Sequence, residues 1–174
     1  MNICCKIVVV MSTLLLAGCI TDRDGEPSAD PVRVGDRLPM FSVAMSDGVV
    51  VNMADLEGSP AAVVFFSTTC PDCRRELPKI QQVYEWVSEC DQGIKILCIG
   101  REESDAVIRK YWGEQGLTVP YSPQSDRGIY NMFATSGIPR LYIVDADLKV
   151  RAIYVETLPS ATEITDRLKS LVVD

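Results

Sequence analysis

The sequence predicts an α/β fold with a mixed sheet, and three observations carry that reading. Residues 61–67 (AAVVFFS) are an unbroken apolar run, as expected of a central strand covered on both faces. Beyond Cys70, apolar residues recur at helical spacing at Leu77, Ile80, Val83, Val87 and Cys90. Near the C-terminus, residues 141–144 and 149–155 form two strand-like segments around Asp145-Ala146-Asp147, followed by a well-marked helix. A strand–helix–strand core that ends in a strand hairpin and a closing helix needs parallel and antiparallel neighbours in one sheet.

Residues 1–18 stand outside that fold. Lys6 and the amino terminus give a positive start, and residues 7–17 (IVVVMSTLLLA) are apolar apart from one serine and one threonine. A bilayer span needs about 20 apolar residues, so this shorter run suits the apolar region of a secretory signal. It ends in Leu16-Ala17-Gly18-Cys19, which resembles a bacterial lipobox. The resemblance implies cleavage before Cys19, thioether lipidation of its sulfur and acylation of the new amino group. An ordinary signal peptide or an uncleaved N-terminal anchor is the alternative. Residues 21–30 (TDRDGEPSAD) are polar and acidic, so 19–31 reads as a flexible tether to one domain over 32–174.

Within the domain the elements follow in order. Residues 41–45 and 49–52 flank Ser46-Asp47-Gly48, a hairpin signal. The apolar strand over 61–67 leads into the helix beyond Cys70, which Asp91-Gln92-Gly93 stops. Residues 94–99 (IKILCI) make a second core strand, 104–114 a helix, 116–121 a short strand and 126–133 another helix. The last helix opens with a capping box, Ser160 and Glu163, before Ile164, Leu168 and Leu171.

Composition narrows the function. The 174 residues suit a single domain, and 17 basic against 24 acidic side chains leave a net charge of −7, with no basic stretch for nucleic acid. Zero histidines exclude Ser-His-Asp hydrolases, Cys-His proteases and histidine-ligated metal enzymes. Seven cysteines point to sulfur chemistry. Cys4 and Cys5 leave with the signal and Cys19 carries lipid. Cys70, Cys73, Cys90 and Cys98 remain, and in an oxidising compartment each must be paired, buried or reactive.

Cys70-Pro71-Asp72-Cys73 lies where a strand gives way to an amphipathic helix. A helix N-terminus carries partial positive charge and unpaired N–H groups, which favour thiolate over thiol. Pro71 fits the first helical position, where its missing N–H costs nothing. Cys70 is then the exposed, attacking thiol and Cys73 the buried thiol that resolves the mixed disulfide. One pair without histidine or a second pair cannot complete a tetrahedral zinc site, and no metal or other cofactor is called for. A static structural disulfide remains the alternative. Cys98, among Ile96, Leu97 and Ile99, reads as a buried inert thiol, and so does Cys90 on the apolar side of its helix; a Cys90–Cys98 bond is possible.

The stretches Val34-Gly35-Asp36-Arg37-Leu38-Pro39-Met40-Phe41 and Leu56-Glu57-Gly58, the Cys70–Pro78 segment, Gly137-Ile138-Pro139 and Tyr142-Ile143-Val144-Asp145 together resemble the TlpA/ResA-like thioredoxin family. The resemblance spans nearly all of 32–174. It implies a thioredoxin-like fold with an added N-terminal β-hairpin and an inserted helix–strand element, and thiol–disulfide exchange outside the cytoplasm. It makes Cys70 the nucleophile and Cys73 the resolving thiol. Glu76 stands where some members place an acidic residue that raises the thiol pKa values and relays protons; a solvated helix residue is the other reading. Pro139 matches the cis-proline against the disulfide. Thr69, Pro71, Asp72, Ile138, Pro139 and Arg140 would line the substrate groove.

The chain departs from that pattern in three places. Thr69 replaces a tryptophan, Val64 a buried aspartate of cytosolic thioredoxins, and Arg140 a common threonine, which would put a guanidinium near the groove. Asp72 disfavours the thiolate while Arg74 and Arg75 favour it, and the middle of the pair lacks histidine. A reduced pair little stabilised as thiolate is the better reductant. The expected partners are envelope proteins with cysteine pairs, a membrane electron donor, and the lipid membrane through Cys19. The competing readings are a thiol peroxidase, for which Val63 and Ser67 stand where proline and threonine belong, and a non-enzymatic lipoprotein stapled by a disulfide.

Overall fold

A computed structural model describes residues 30–90 and 93–172, so the signal, the lipobox cysteine and residues 19–29 of the tether lie outside the described residues. Among the described residues no helix is long and apolar enough to cross a membrane.

Five strands form a mixed sheet in the order β5 (Tyr121–Ser122), β4 (Lys95–Gly100), β3 (Ala61–Phe66), β6 (Arg140–Val144), β7 (Val150–Val155). The apolar run becomes β3 (Ala61–Phe66) at the centre, with all six residues buried. It pairs in parallel with β4 (Lys95–Gly100) and antiparallel with β6 (Arg140–Val144). A strand covered on both faces and both edges has no polar face to keep, which is why its sequence does not alternate. β6 turns back through Asp145-Ala146-Asp147 into β7 (Val150–Val155). The separate hairpin is β1 (Ser42–Ala44) with β2 (Val50–Asn52), and a 3₁₀ turn at Met53–Leu56 follows it.

Successive residues of β3 point to opposite faces, so Phe65 and Phe66 seed two halves of the core. Phe65 meets Tyr130, Phe133 and Tyr142 edge-on, with ring centroids 4.9–6.1 Å apart. Phe66 stacks at 4.9 Å on Trp112, which in turn packs on Tyr121. Trp86 is partly buried, with the Lys169 ammonium over its ring. Helix α1 (Pro71–Cys90) leaves the C-terminal end of β3, and α2 (Asp105–Gln115) follows β4. The closing α4 (Ala161–Lys169) starts at the expected box: the Ser160 N–H donates to Glu163 Oε2 at 2.8 Å, and the Glu163 N–H donates to Ser160 Oγ at 3.3 Å.

Three sequence expectations need correction. The short strand is β5 (Tyr121–Ser122) rather than residues 116–121. Gly116, at φ +65°, ends α2 in the left-handed conformation, and the Trp112 indole donates to the Val119 carbonyl at 2.8 Å, so this stretch folds back on the helix first. The helix expected over 126–133 is the single turn α3 (Gly128–Asn131), because the Phe133 and Ala134 N–H groups both close onto the Tyr130 carbonyl. Cys90 is exposed at the end of α1 instead of buried. Cys98 is buried in β4 opposite Val64, and both thiols are free, with no bond between them.

Candidate active site

Cys70 precedes the first residue of α1, Pro71, and its carbonyl accepts the Arg74 N–H at 3.1 Å, the first hydrogen bond of the helix. Its thiol is half-buried and reaches the Ile138 carbonyl at 3.6 Å. Cys73 lies one turn in, fully buried, where the Ser67 N–H donates to its Sγ at 3.4 Å. Burial pushes the Cys73 thiol far above its ordinary range, against the weaker pull of the Ser67 N–H and the Arg101 guanidinium. One sulfur is therefore partly exposed and the other lies buried behind it, the relative placement that the sequence predicts. Thr69 and Pro71 are exposed beside Cys70. Asp72 is paired with Arg75 at 2.6 Å, so that guanidinium offsets the carboxylate rather than serving the thiols.

The opposite wall is the loop before β6. The Ile138–Pro139 peptide is cis and both residues are buried. Gly137 has φ +81°, and a Cβ there would lie 2.7 Å from Val155 Cγ1, so this turn admits only glycine. The Tyr130 hydroxyl donates to the Gly137 carbonyl at 2.9 Å. Arg140 does not line the groove as expected. It is 4 % exposed and turned under the loop, donating to the Ser136 carbonyl at 2.6 Å and pairing with Asp30 at 2.6 Å. A side chain on a central, doubly covered strand has no path to the surface, and so it is paired inside. Asp30 belongs to the stretch that the sequence assigns to the tether.

Comparison with known proteins adds to this geometry. The AhpC/TSA family matches residues 34–153. The chain belongs to the AhpC/TSA family. Its relatives include the thiol-disulfide oxidoreductase ResA of Bacillus anthracis, 24% identical over 121 residues, or 70% of this chain and 69% of that one. ResA of Geobacillus thermodenitrificans is 26% identical over 140 residues, 80% and 79% of the two chains. Among solved structures, a thiol:disulfide interchange protein of the thioredoxin family from Chlorobium tepidum TLS superposes with a TM-score of 0.68 at 26% identity, covering 82% of this chain and 99% of that one. StoA from Bacillus subtilis gives 0.64 at 16%, covering 74% and 96%. The fold of this AhpC/TSA member is thioredoxin-like, and its activity class is thiol–disulfide oxidoreductase of the ResA-like type.

Two carboxylates of this ResA-like chain differ from their sequence readings. Glu76 is not a solvated helix residue. It is buried, with Lys79 at 2.6 Å and Arg75 at 2.9 Å, and accepts the Leu158 N–H at 3.2 Å. Burial alone would push its carboxyl up. The Lys79 ammonium, the Arg75 guanidinium and the Leu158 N–H outweigh that and hold it below its ordinary value. A carboxyl held ionised by two cations is a poor proton relay, and Glu76 ties α1 to the segment before α4.

Glu103, immediately before the helix predicted over 104–114, is a residue of the site that no sequence motif marks. It is 7 % exposed and accepts from Ser67 Oγ at 3.0 Å, Thr68 Oγ1 at 2.7 Å and the Thr68 N–H at 2.8 Å. It therefore fixes the turn whose Ser67 N–H meets Cys73. Arg74 holds the same turn by donating to the Thr68 carbonyl. The contacts span 35 or 36 residues of chain, and no local pattern announces them. Ser67 Oγ is also 2.8 Å from Thr69 Oγ1. Among the described residues no cluster of three or more His, Cys, Asp or Glu side chains could hold a metal.

Proposed function

We propose that Cys70 and Cys73 are the redox pair and that the protein reduces disulfides in envelope proteins, facing outward from a membrane to which Cys19 is lipid-linked. The observation that carries this reading is the half-buried Cys70 thiol between the start of α1 and the cis-Pro139 loop, with Cys73 buried behind it. In the reaction the Cys70 thiolate attacks a substrate disulfide, forming a mixed disulfide and expelling the first substrate thiolate. Cys73 loses its proton and attacks Cys70 Sγ, and the second substrate thiolate leaves. The substrate gains two electrons, the pair is oxidised, and a membrane electron donor returns it to the dithiol.

The environment of Cys73 supports the reducing direction. Burial disfavours its thiolate, and a reduced form that is not stabilised as thiolate gives a low potential. The Leu16-Ala17-Gly18-Cys19 sequence supports the anchor and the location outside the cytoplasm.

The test is the reduction potential of the pair in glutathione and dithiothreitol buffers, scored by alkylation mass shift. A value below about −220 mV is expected, and one near −120 mV would make the protein an oxidant. A pair with no reversible two-electron step would be a structural staple, and rapid oxidation of Cys70 by peroxide would revive the peroxidase reading.

A further inference from the structure

Asp30 and Arg140 are 110 residues apart in sequence, yet their side chains, 13% and 5% exposed, meet at 2.6 Å. What distinguishes this pair is where its other hydrogen bonds go. Asp30 Oδ1 accepts from the Thr135 N–H at 2.9 Å and from Thr135 Oγ1 at 3.1 Å. Arg140 donates through Nη2 to the Ser136 carbonyl at 2.6 Å and through Nε to the Gly137 carbonyl at 3.4 Å. Three successive residues are thus bound by one buried ion pair, and they lead directly into the cis Ile138–Pro139 peptide. The next carbonyl along, that of Ile138, is the one the Cys70 thiol reaches.

A loop that contains a left-handed glycine and presents backbone to a partner needs external ties to keep one position. Here charge-assisted hydrogen bonds supply them, and they come from residues outside the loop itself. We propose that Asp30 and Arg140 are positioning residues for exchange with polypeptide substrates: their ion pair holds the cis-proline loop in register with Cys70, so that an extended substrate segment docks with its disulfide in line with that thiol. The inference rests on Cys70 and Cys73 being the redox pair. It also gives residue 30 a role in the active site, although the sequence places it in a tether.

The experiment compares two oxidised substrates in the full chain and in Asp30→Ala, Asp30→Asn and Asp30→Glu. One is a disulfide-bonded peptide, which must dock along the loop. The other is 5,5′-dithiobis(2-nitrobenzoate), which needs only the thiol. Misplacing a docked group by about an ångström costs on the order of 10²-fold, and a loop that loses part of its support should lose about tenfold. Asp30→Ala and Asp30→Asn are therefore expected to lower kcat/KM for the peptide about tenfold, mainly through KM, with the small disulfide within about twofold of the parent. Asp30→Glu, which keeps the charge, should recover most of the loss. Peptide exchange within about twofold of the parent in Asp30→Ala would overturn the proposal, as would equal losses on both substrates. Unfolding of all three variants by circular dichroism would overturn it too, since the pair would then serve the whole fold. A parent chain inert to both substrates would instead refute the redox reading itself.

Discussion

The two ends of helix α1 carry the same side chain in opposite surroundings. At the N-terminal end, Cys70 and Cys73 sit on the positive pole of the helix, next to a turn fixed by Glu103 and Arg74 and facing the Ile138 carbonyl. At the C-terminal end, Cys90 is exposed, follows Glu89, and has no basic residue in the last turn to offset the negative pole. The helix dipole is positive at the first end and negative at the second. What separates the pair from the lone thiol is thus the pole it occupies, the polar frame behind it and its burial.

Substituting the cysteines should break this contrast most sharply. Cys70→Ser and Cys73→Ser are each expected to abolish turnover, and Cys73→Ser should accumulate a substrate adduct at Cys70, visible by mass spectrometry. Turnover surviving in both variants would place the chemistry elsewhere.

Next in size is the frame. In Glu103→Gln one of the two acceptor oxygens becomes an NH2 group that opposes the Thr68 N–H, and the hydrogen bonds that remain lose their charge. A stability loss of about 1.5–3 kcal/mol is expected by urea unfolding, together with a changed rate of Cys73 alkylation.

The two buried thiols, Cys73 and Cys98, give the protein a pH signature. Burial pushes the Cys98 thiol up to about 12 and Cys73 higher still. An unfolded chain releases these protons above about pH 8.5 while the folded chain keeps them. The stability they contribute is therefore complete below about pH 8.5 and declines as pH rises, by about 1.4 kcal/mol per pH unit for each thiol. Cys98→Ala should remove one thiol's share of that slope in the reduced protein, measured by denaturant unfolding between pH 8 and 10.

The smallest expected effect is at the far end of the helix. Cys90→Ser should leave exchange unchanged and stability within about 0.5 kcal/mol.

Much of this was legible in the residues. The unbroken apolar run had to be the central strand, and β3 lies in the middle of the sheet. The Cys70-Pro71-Asp72-Cys73 spacing placed the thiols on the first turn of a helix, and the Gly137-Ile138-Pro139 resemblance located the cis peptide. Each of these is a local pattern, in which neighbours along the chain carry the signal.

The failures share a different cause. Arg140 follows Pro139 in sequence, which suggests a groove residue, but its position on β6 commits it to the interior and to Asp30. Glu103 stands in sequence just before a predicted helix, yet it closes the turn at Ser67 and Thr68 from across the sheet. Glu76 occupies the helical position read from the sequence, but Lys79, Arg75 and the Leu158 N–H hold its carboxylate. Periodicity, capping and motif spacing thus determine the elements and where the paired sulfurs lie. Which charges end up buried and which partners neutralise them depends on strand register and loop docking across tens of residues. Only the folded chain decides that, because a buried ionised group is stable only where a distant partner meets it.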